Sequence, residues 1–509
     1  MDWSRLPCPR LRLDNVSVPG YIQSAVFLLA FYWAVSFLFE NKQRVPNAPV
    51  HGFRGIFEPS LLLQARFITG GHKIIASGYQ KVMFSAAYLP SPHIGLPDSQ
   101  QFKDKPFVVR RWDIDITVLP MKYLNEVRMF PPSKMNGRHA HINNLVPKWT
   151  GTQFMMEGDL HFRVASNKLN PELYKYVDKA RVEFEHGWQL EVPKCEEWTE
   201  VDIQTLIRTL VARMSARIFL GYPTCRNPDW LKLSVDYSID TFITSFTLRM
   251  FPPWAHPIIA HLIPARYRMK SHLRTGRTII EPLVEKHAYT LKSQPNGMEP
   301  DDDYLLNWML DNATEKEKAL PEMEEIDEVY TALGQIGDDP NISSKEWLSR
   351  LEKLDSCFIE SQRVNPVILL SPQRVAIESI TLKDGLHIPA GARVGFPHHQ
   401  YQMDPSVTPD PDKFDPLRSY RKRRASPDMI NKFQAVQLDL SNLTFGYGSQ
   451  ACPGRFFAVT EIKMILARLL HEYDIQFPPM KARPQTLHPD ENVFLDPNAK
   501  LMMRKRSLH

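Results

Sequence analysis

Cysteine is scarce in this chain, and its scarcity excludes one class of protein. Five cysteines occur among 509 residues, an odd number at scattered positions: Cys8, Cys195, Cys225, Cys357 and Cys452. Small secreted folds held together by disulfides need many paired cysteines. The pattern therefore excludes a disulfide scaffold and favours a reducing compartment for the main body.

Excess charge of either sign is also small. The 62 Lys and Arg residues stand against 57 Asp and Glu residues, which gives a formal net charge of +5. So small an excess does not favour nucleic-acid binding, and the sequence carries no DNA- or RNA-recognition motif. The hydrophobic share of 43% is ample for a core. This length suits about three domains of ~150 residues each, or one large fold.

Charge is missing altogether near the N-terminus. Residues 16–39 contain no charged side chain, and residues 21–39 are almost wholly apolar or aromatic. A membrane-spanning helix needs about 20 such residues. A cleavable signal peptide is the alternative, but the polar lead and the lack of a small-residue cleavage site disfavour it. A buried core helix is favoured less still, so we predict a membrane anchor at residues 1–40.

The most informative stretch is residues 445–458, which contains Cys452. Gly446 and Gly448 allow backbone conformations and close approaches that a β-carbon would forbid. Pro453 suits the first turn of a helix. Apolar residues three and four apart then predict that helix: Ala458, Ile462, Ile465, Leu466, Leu469 and Leu470. A helix start lowers the pKa of a thiol, and a thiolate is a strong iron ligand, although a lone cysteine is more often structural.

The spacing of this stretch resembles a known family. Phe445, Gly448, Cys452 and Gly454 fit Phe-x-x-Gly-x-x-x-Cys-x-Gly, which resembles the haem-binding loop of the cytochrome P-450 family of haem-thiolate monooxygenases. Four fixed positions in ten residues make a chance match rare. The resemblance implies haem (iron protoporphyrin IX) with Cys452 as the iron ligand, where a thiolate favours O–O cleavage. Gln450 stands where the family usually has Arg or His, which implies a neutral hydrogen bond to a haem propionate.

A second segment carries the resemblance upstream. Glu360 and Arg363 resemble the family's Glu-x-x-Arg helix, in which residues three apart share a face and can pair. Such pairs are common on solvated helices. Here, however, residues 411–418 follow, and they resemble the segment that supplies a second arginine, Arg418. The resemblance implies a buried structural triad of Glu360, Arg363 and Arg418 with bidentate geometry.

The family resemblance also implies an overall fold. It is mostly α with small β-sheets (α+β), a cytochrome P-450-like haem-thiolate domain over residues 41–509. His161 falls where the family often places a haem-propionate contact, although a lone histidine is more often a surface or core residue. Helical periodicity predicts a core helix over residues 198–220. Further strands are predicted at 367–370, 380–382, 386–388 and 393–396.

Two segments depart from the family pattern. Residues 82–101 form a Pro-, Ser- and Gly-containing insertion, which is either a surface loop or a retained intron. After Asn312, a helix of about 30 residues should cross the haem face. The sequence instead passes directly to residues 321–329, which resemble the following helix, so we predict a truncated central helix and assign no catalytic residue. Without that wall, water would enter, and we expect weak haem binding and no coupled hydroxylation.

Three hypotheses from different functional classes are considered for this chain. The leading one is a membrane-anchored monooxygenase that oxidises a hydrophobic small molecule, such as a terpenoid or related fungal secondary metabolite, with electrons from an NADPH-dependent flavoprotein reductase. The resemblance implies an endoplasmic-reticulum anchor and a cytosolic body. The second is a haem-binding protein without oxygenase turnover. The third, a cysteine-nucleophile enzyme, lacks support because Ala458, not arginine, stands six residues after Cys452.

Overall fold

The computed structural model describes residues 45–55, 58–83, 105–293, 303–314, 348–479 and 483–506. The predicted anchor lies outside these ranges, as do nearly all of the predicted insertion and the junction at which the central helix is predicted to be truncated. Within the described ranges, no helix is long and apolar enough to cross a membrane.

Most of the described chain is helical. The helices, in chain order, are α1 Ser60–Met83, α2 Leu124–Val127, α3 Gly137–Ile142, α4 Pro147–Thr150, α5 Phe154–Glu157, α6 Leu160–Val164, α7 Leu173–Glu191, α8 Ile203–Phe219, α9 Pro228–Arg249, α10 His256–Ile259, α11 Pro264–Ser293, α12 Leu305–Asn312, α13 Glu352–Val364, α14 His398–Gln402, α15 Arg418–Arg423 and α16 Arg455–Glu472.

The strands are short and form small sheets. They are β1 Phe107–Arg110, β2 Asp115–Val118, β3 Met135–Asn136, β4 Thr199–Val201, β5 Gln373–Ala376, β6 Ile380–Thr381, β7 His387–Ile388, β8 Arg393–Gly395, β9 Tyr473–Gln476 and β10 Leu501–Lys505. A five-stranded sheet has the order β1-β2-β8-β5-β3, and a three-stranded sheet has the order β4-β10-β9. The prediction of a mostly helical fold with small β-sheets is confirmed.

The predicted core helix starts later than expected. Residues 199–201 form β4, which pairs antiparallel with β10, and α8 begins only at Ile203. The side chain of Asp202 accepts a hydrogen bond from the backbone N–H of Thr205 and so caps the helix. The buried face of α8 then packs with α7, α9 and α16 in the largest hydrophobic core.

The strand predictions have different outcomes. The hairpin of β6 and β7 is confirmed, with Gly385 at a φ of 91° in the turn between them. The predicted strand at residues 367–370 is wrong, because only Ile368 makes a bridge, to Asn492. Leu369 and Leu370 are nevertheless buried, so the apolar run reports burial rather than strand pairing.

Candidate functional site

The cysteine loop is held by its own backbone. Gly446 and Gly448 have φ values of 83° and 74°, the left-handed region that the two glycines allow. The N–H of Cys452 donates to the carbonyl of Phe445 at 2.8 Å, which closes the loop. Helix α16 begins three residues after the cysteine, at Arg455, so the expectation that Pro453 occupies its first turn is wrong.

The thiol of Cys452 is subject to opposing effects. Burial raises its pKa above the usual value, while the N–H groups of Gly454 and Arg455 and the charge of Arg455 lower it. The predicted lowering by the helix start is present, but burial outweighs it in the chain without haem. The N–H groups are nevertheless aimed at the sulfur, as a thiolate ligand requires.

The loop packs against the helix that carries the Glu-x-x-Arg motif. Ile359 of α13 forms a small apolar cluster with Ala435 and with Val459 of α16, and Phe445 packs against that cluster. The position of the cysteine loop therefore depends on where α13 lies.

Gln450 binds backbone groups on both sides of β3. Its side-chain oxygen accepts from the N–H of Gly137 at 2.8 Å, and its amide nitrogen donates to the carbonyls of Met135 at 2.8 Å and Phe130 at 3.3 Å. These bonds tie the cysteine loop to the junction of β3 and α3. The predicted contact between Gln450 and a haem propionate stays a prediction.

Glu360, Arg363 and Arg418 lie together in a buried cluster. Arg363 binds the carboxylate of Glu360 with two hydrogen bonds, at 2.8 and 2.9 Å. The Nε of Arg418 lies 3.2 and 3.3 Å from the two carboxylate oxygens, and the N–H of Asp415 adds a bond of 2.9 Å. Glu360 is only 2% exposed. The structural importance of this triad stays a prediction.

Electrostatics support the charged form of Glu360. Burial alone would raise its pKa, but the hydrogen bonds from Arg363 and Asp415 and the charges of both arginines lower it below 4.5. Because the pKa is depressed in the fold, the stabilisation is present above about pH 4.5 and is lost as the pH falls through the lowered value.

A second buried cluster beside the triad was not predicted. The ammonium of Lys463, on α16, lies 3.0 Å from the carboxylate of Asp355 on α13, and both side chains are almost fully buried. Arg423 of α15 lies 3.6 Å from the same carboxylate. The cluster joins three helices around the cysteine loop. No local sequence motif predicts it, because its members are more than 30 residues apart in sequence.

Arg374 on β5 was missed as well, and it is the residue that best indicates a bound anion. It is 2% exposed, and its Nη2 donates to the carbonyl of Tyr447 in the cysteine loop at 3.1 Å. Among the described residues no carboxylate pairs with it, and its buried Nε has no hydrogen-bond partner. Burial therefore lowers its pKa to about 10.

The donor set fits haem. A thiol with N–H groups aimed at its sulfur offers an iron ligand, and a buried guanidinium without a counter-charge offers a partner for a carboxylate. Gly137 leaves the room for Arg374, because a β-carbon there would lie 2.6 Å from Nη1. The residues present thus suit a group that carries both iron and carboxylates.

His161 lies on an element near the loop. It is buried within α6, at the helix start that the sequence predicted. Asn170, nine residues further on, donates to the carbonyl of Pro453 at 3.0 Å, which places this segment against the cysteine loop. The predicted propionate contact of His161 stays a prediction.

Fold and site together define a haem-thiolate protein, and comparisons identify its family. The sequence model of the cytochrome P-450 family matches residues 323–503. The chain is 39% identical to the cytochrome P-450 monooxygenase sdnB of Sordaria araneosa over 95% of this chain and 92% of that protein. It is 34% identical to an ent-kaurene oxidase of Fusarium fujikuroi over 94% of this chain and 92% of the relative.

A solved structure shares the fold. Retinoic acid-bound cyanobacterial CYP120A1 matches with a TM-score of 0.54 and 17% identity, over 80% of this chain and 93% of that one. The chain belongs to the cytochrome P-450 family. It is a haem-thiolate monooxygenase, and its cofactor is haem.

Removing Glu360 should destabilise the chain strongly. Glu360→Ala leaves the buried Arg363 and the partly buried Arg418 without their counter-charge, which costs roughly 3–5 kcal/mol. Chemical denaturation should show this loss, together with little haem-loaded protein. Asp474→Ala, which removes a partly exposed carboxylate paired with Arg504 and Arg506, is the control and should change the free energy of unfolding by less than about 1 kcal/mol. Normal expression and haem loading of Glu360→Ala would contradict the triad.

Replacing Arg374 should separate haem binding from stability. In Arg374→Met the haem-free chain loses a buried charge that no carboxylate balances, so its unfolding free energy should change by less than about 1 kcal/mol. Haem affinity should fall about ten- to hundredfold, because a charged hydrogen bond contributes roughly 1.5–3 kcal/mol. Haem titration and denaturation of the haem-free chain measure the two effects. Equal losses of haem-binding free energy and of unfolding free energy would assign Arg374 a purely structural role.

Proposed function

We propose that this chain is a membrane-anchored monooxygenase that oxidises a hydrophobic small molecule, a terpenoid or related fungal secondary metabolite. Residues 1–40 form the anchor and residues 41–509 the haem-thiolate domain. The observation that carries the proposal is the cysteine loop, in which N–H groups address the Cys452 sulfur while the uncompensated Arg374 guanidinium binds the same loop.

The chain's own residues divide the work of holding haem. Cys452 would supply the thiolate that binds the iron, while the carbonyl of Phe445 fixes its loop and the carbonyl of Tyr447 holds Arg374. Arg374 would neutralise a haem propionate, and Gln450 holds the loop against β3. The bound haem supplies oxygen activation, which thiolate ligation favours.

An apolar surface supports a hydrophobic substrate. Phe242 of α9 stacks on Phe246 and meets Phe494 edge-on, with ring centroids 6.0 and 5.0 Å away. Val367 is 62% exposed, and its carbonyl accepts from the N–H of Val493, the residue before Phe494. An exposed aromatic and aliphatic surface of this kind favours apolar ligands. The relatives named ent-kaurene oxidases support the terpenoid class.

Two features support the membrane location, with the anchor in the endoplasmic reticulum and the body in the cytosol. The first is the apolar run at residues 21–39. The second is the connection between α9 and α11, where Trp254, Ile258 and Leu262 are 78%, 64% and 71% exposed. No acidic residue occurs between positions 241 and 280, so this surface suits the negative face of a bilayer.

The proposed electron donor is an NADPH-dependent flavoprotein reductase. The basic run at residues 421–424 does not form a free patch for docking it, because three of its four cations have partners. Arg421 binds Asp415, Arg424 binds Glu352 at 2.6 Å, and Arg423 is buried beside Glu352. The proposal of a reductase therefore rests on the family, not on this run.

The shortened central helix belongs to the same proposal. Helix α12 ends at Asn312, and the alignment to the Sordaria relative is longer than the part of this chain that it covers, so that protein contains residues this chain lacks. We place the missing residues at the predicted truncation. The full-length relatives favour the monooxygenase over a haem protein without turnover.

Cys452→Ser tests the ligand. The hydroxyl cannot replace a thiolate, so the thiolate-type spectrum of the reduced carbon monoxide complex should disappear. Cys357→Ser, on α13, is the matched control and should keep it. A thiolate-type spectrum in Cys452→Ser would contradict the assignment of Cys452 as the iron ligand.

The gene tests the truncation. Genomic DNA between the codons for Lys318 and Glu324 should contain an open frame for a long apolar helix with an acidic residue and a threonine near its middle, as the family resemblance implies. Restoring it should raise haem loading and coupled hydroxylation, because the added helix excludes water. Uninterrupted coding sequence there would instead favour the haem protein without turnover.

A further inference from the structure

A cation stands where a helix disfavours one. Arg455 is the first residue of the 18-residue helix α16, and the first turn contains no acidic residue. The N-terminus of a helix carries partial positive charge, so a cation there is destabilising. A residue that breaks a local rule at a functional site usually has compensating contacts.

The contacts of Arg455 provide this compensation. Its Nη1 donates to the carbonyl of Cys452 at 2.8 Å, and its Nε donates to the carbonyl of Val436 at 3.1 Å. The guanidinium also lies over the ring of Phe456, with 4.2 Å between its central carbon and the ring centroid. Only arginine offers a planar group that donates in two directions and stacks at the same time.

These bonds complete the restraint of the cysteine backbone. The N–H of Cys452 is bound by Phe445, and the carbonyl of Cys452 is bound by Arg455. Both peptide groups of the cysteine are therefore fixed, one to the loop and one to α16. The sulfur is positioned by the register of the helix as well as by the glycines of the loop.

We propose that Arg455 is a positioning residue for the Cys452 thiolate and that its charge raises the reduction potential of the haem iron. The inference rests on the proposed role of Cys452 as the iron ligand. Reduction of ferric to ferrous iron by one electron from the reductase adds a negative charge beside the sulfur. A fixed cation next to the cysteine stabilises the reduced form more than the oxidised form.

Three substitutions separate charge from geometry. Arg455→Lys keeps the charge but not the two-direction donor, Arg455→Gln keeps a donor for the Cys452 carbonyl without the charge, and Arg455→Leu removes both. Arg504→Gln is the matched control, since Arg504 is a partly exposed cation on β10. Each full chain is reduced with dithionite in the presence of redox dyes, and only its haem-loaded fraction is read.

The charge of Arg455 leads to a prediction for the reduction potential of each variant. In Arg455→Gln and Arg455→Leu the ferric–ferrous equilibrium should shift about tenfold toward ferric, which corresponds to about 59 mV for one electron. In Arg455→Lys and Arg504→Gln the ferric–ferrous equilibrium constant should stay within about threefold of the parent value, which is half of a tenfold change on a logarithmic scale. A parent-like potential in Arg455→Gln would overturn the charge effect.

The hydrogen bond from Arg455 to the Cys452 carbonyl leads to a prediction for how long the thiolate stays bound to the iron. The thiolate-type carbon monoxide spectrum should be lost faster in Arg455→Leu than in Arg455→Gln. Equal persistence in both would overturn the positioning role. If Arg455→Leu takes up no haem while Arg455→Gln does, the positioning role is supported, and the Lys and Gln variants decide the charge effect. A parent chain without a thiolate-type spectrum would instead overturn the proposed role of Cys452.

Discussion

One buried carboxylate joins three segments of the described structure. Glu360 receives donors from Arg363, Arg418 and the backbone of Asp415, so it fixes α13 to the segment that leads into α15. Helix α13 also carries the apolar side chains against which Phe445 packs. We therefore expect the Glu360 ion pairs to help position the cysteine loop, because an unpaired charge in the interior would be costly.

Charges around the loop are balanced in two different ways. Glu360 and Asp355 meet cations of the protein itself, whereas Arg374 meets only backbone carbonyls. The first arrangement is complete without a ligand, and the second has a cation in excess. Because Arg374 contacts the cysteine loop and has no carboxylate partner among the described residues, its position indicates where an anionic group of the cofactor belongs.

The sequence revealed what is encoded locally. The glycine positions of the cysteine loop and the Glu-x-x-Arg helix could be predicted, because turn conformation and helix face depend on neighbouring residues. The start of α8 could not, because β4 pairs with a strand about 300 residues away. The net pKa shift of Cys452 depends on burial, and Arg374 has no motif at all. Both are properties of the assembled fold.

Gln450 makes the cysteine loop and the β3–α3 junction one thermodynamic unit. Its three hydrogen bonds cross more than 300 residues of sequence to join the two. This coupling is reciprocal. If a ligand that binds at α3 stabilises the ordered cysteine loop, then an ordered loop increases the affinity for that ligand by the same free energy. Binding of haem at the cysteine loop and binding of a ligand at α3 should therefore show positive cooperativity, although the two regions share no stretch of chain.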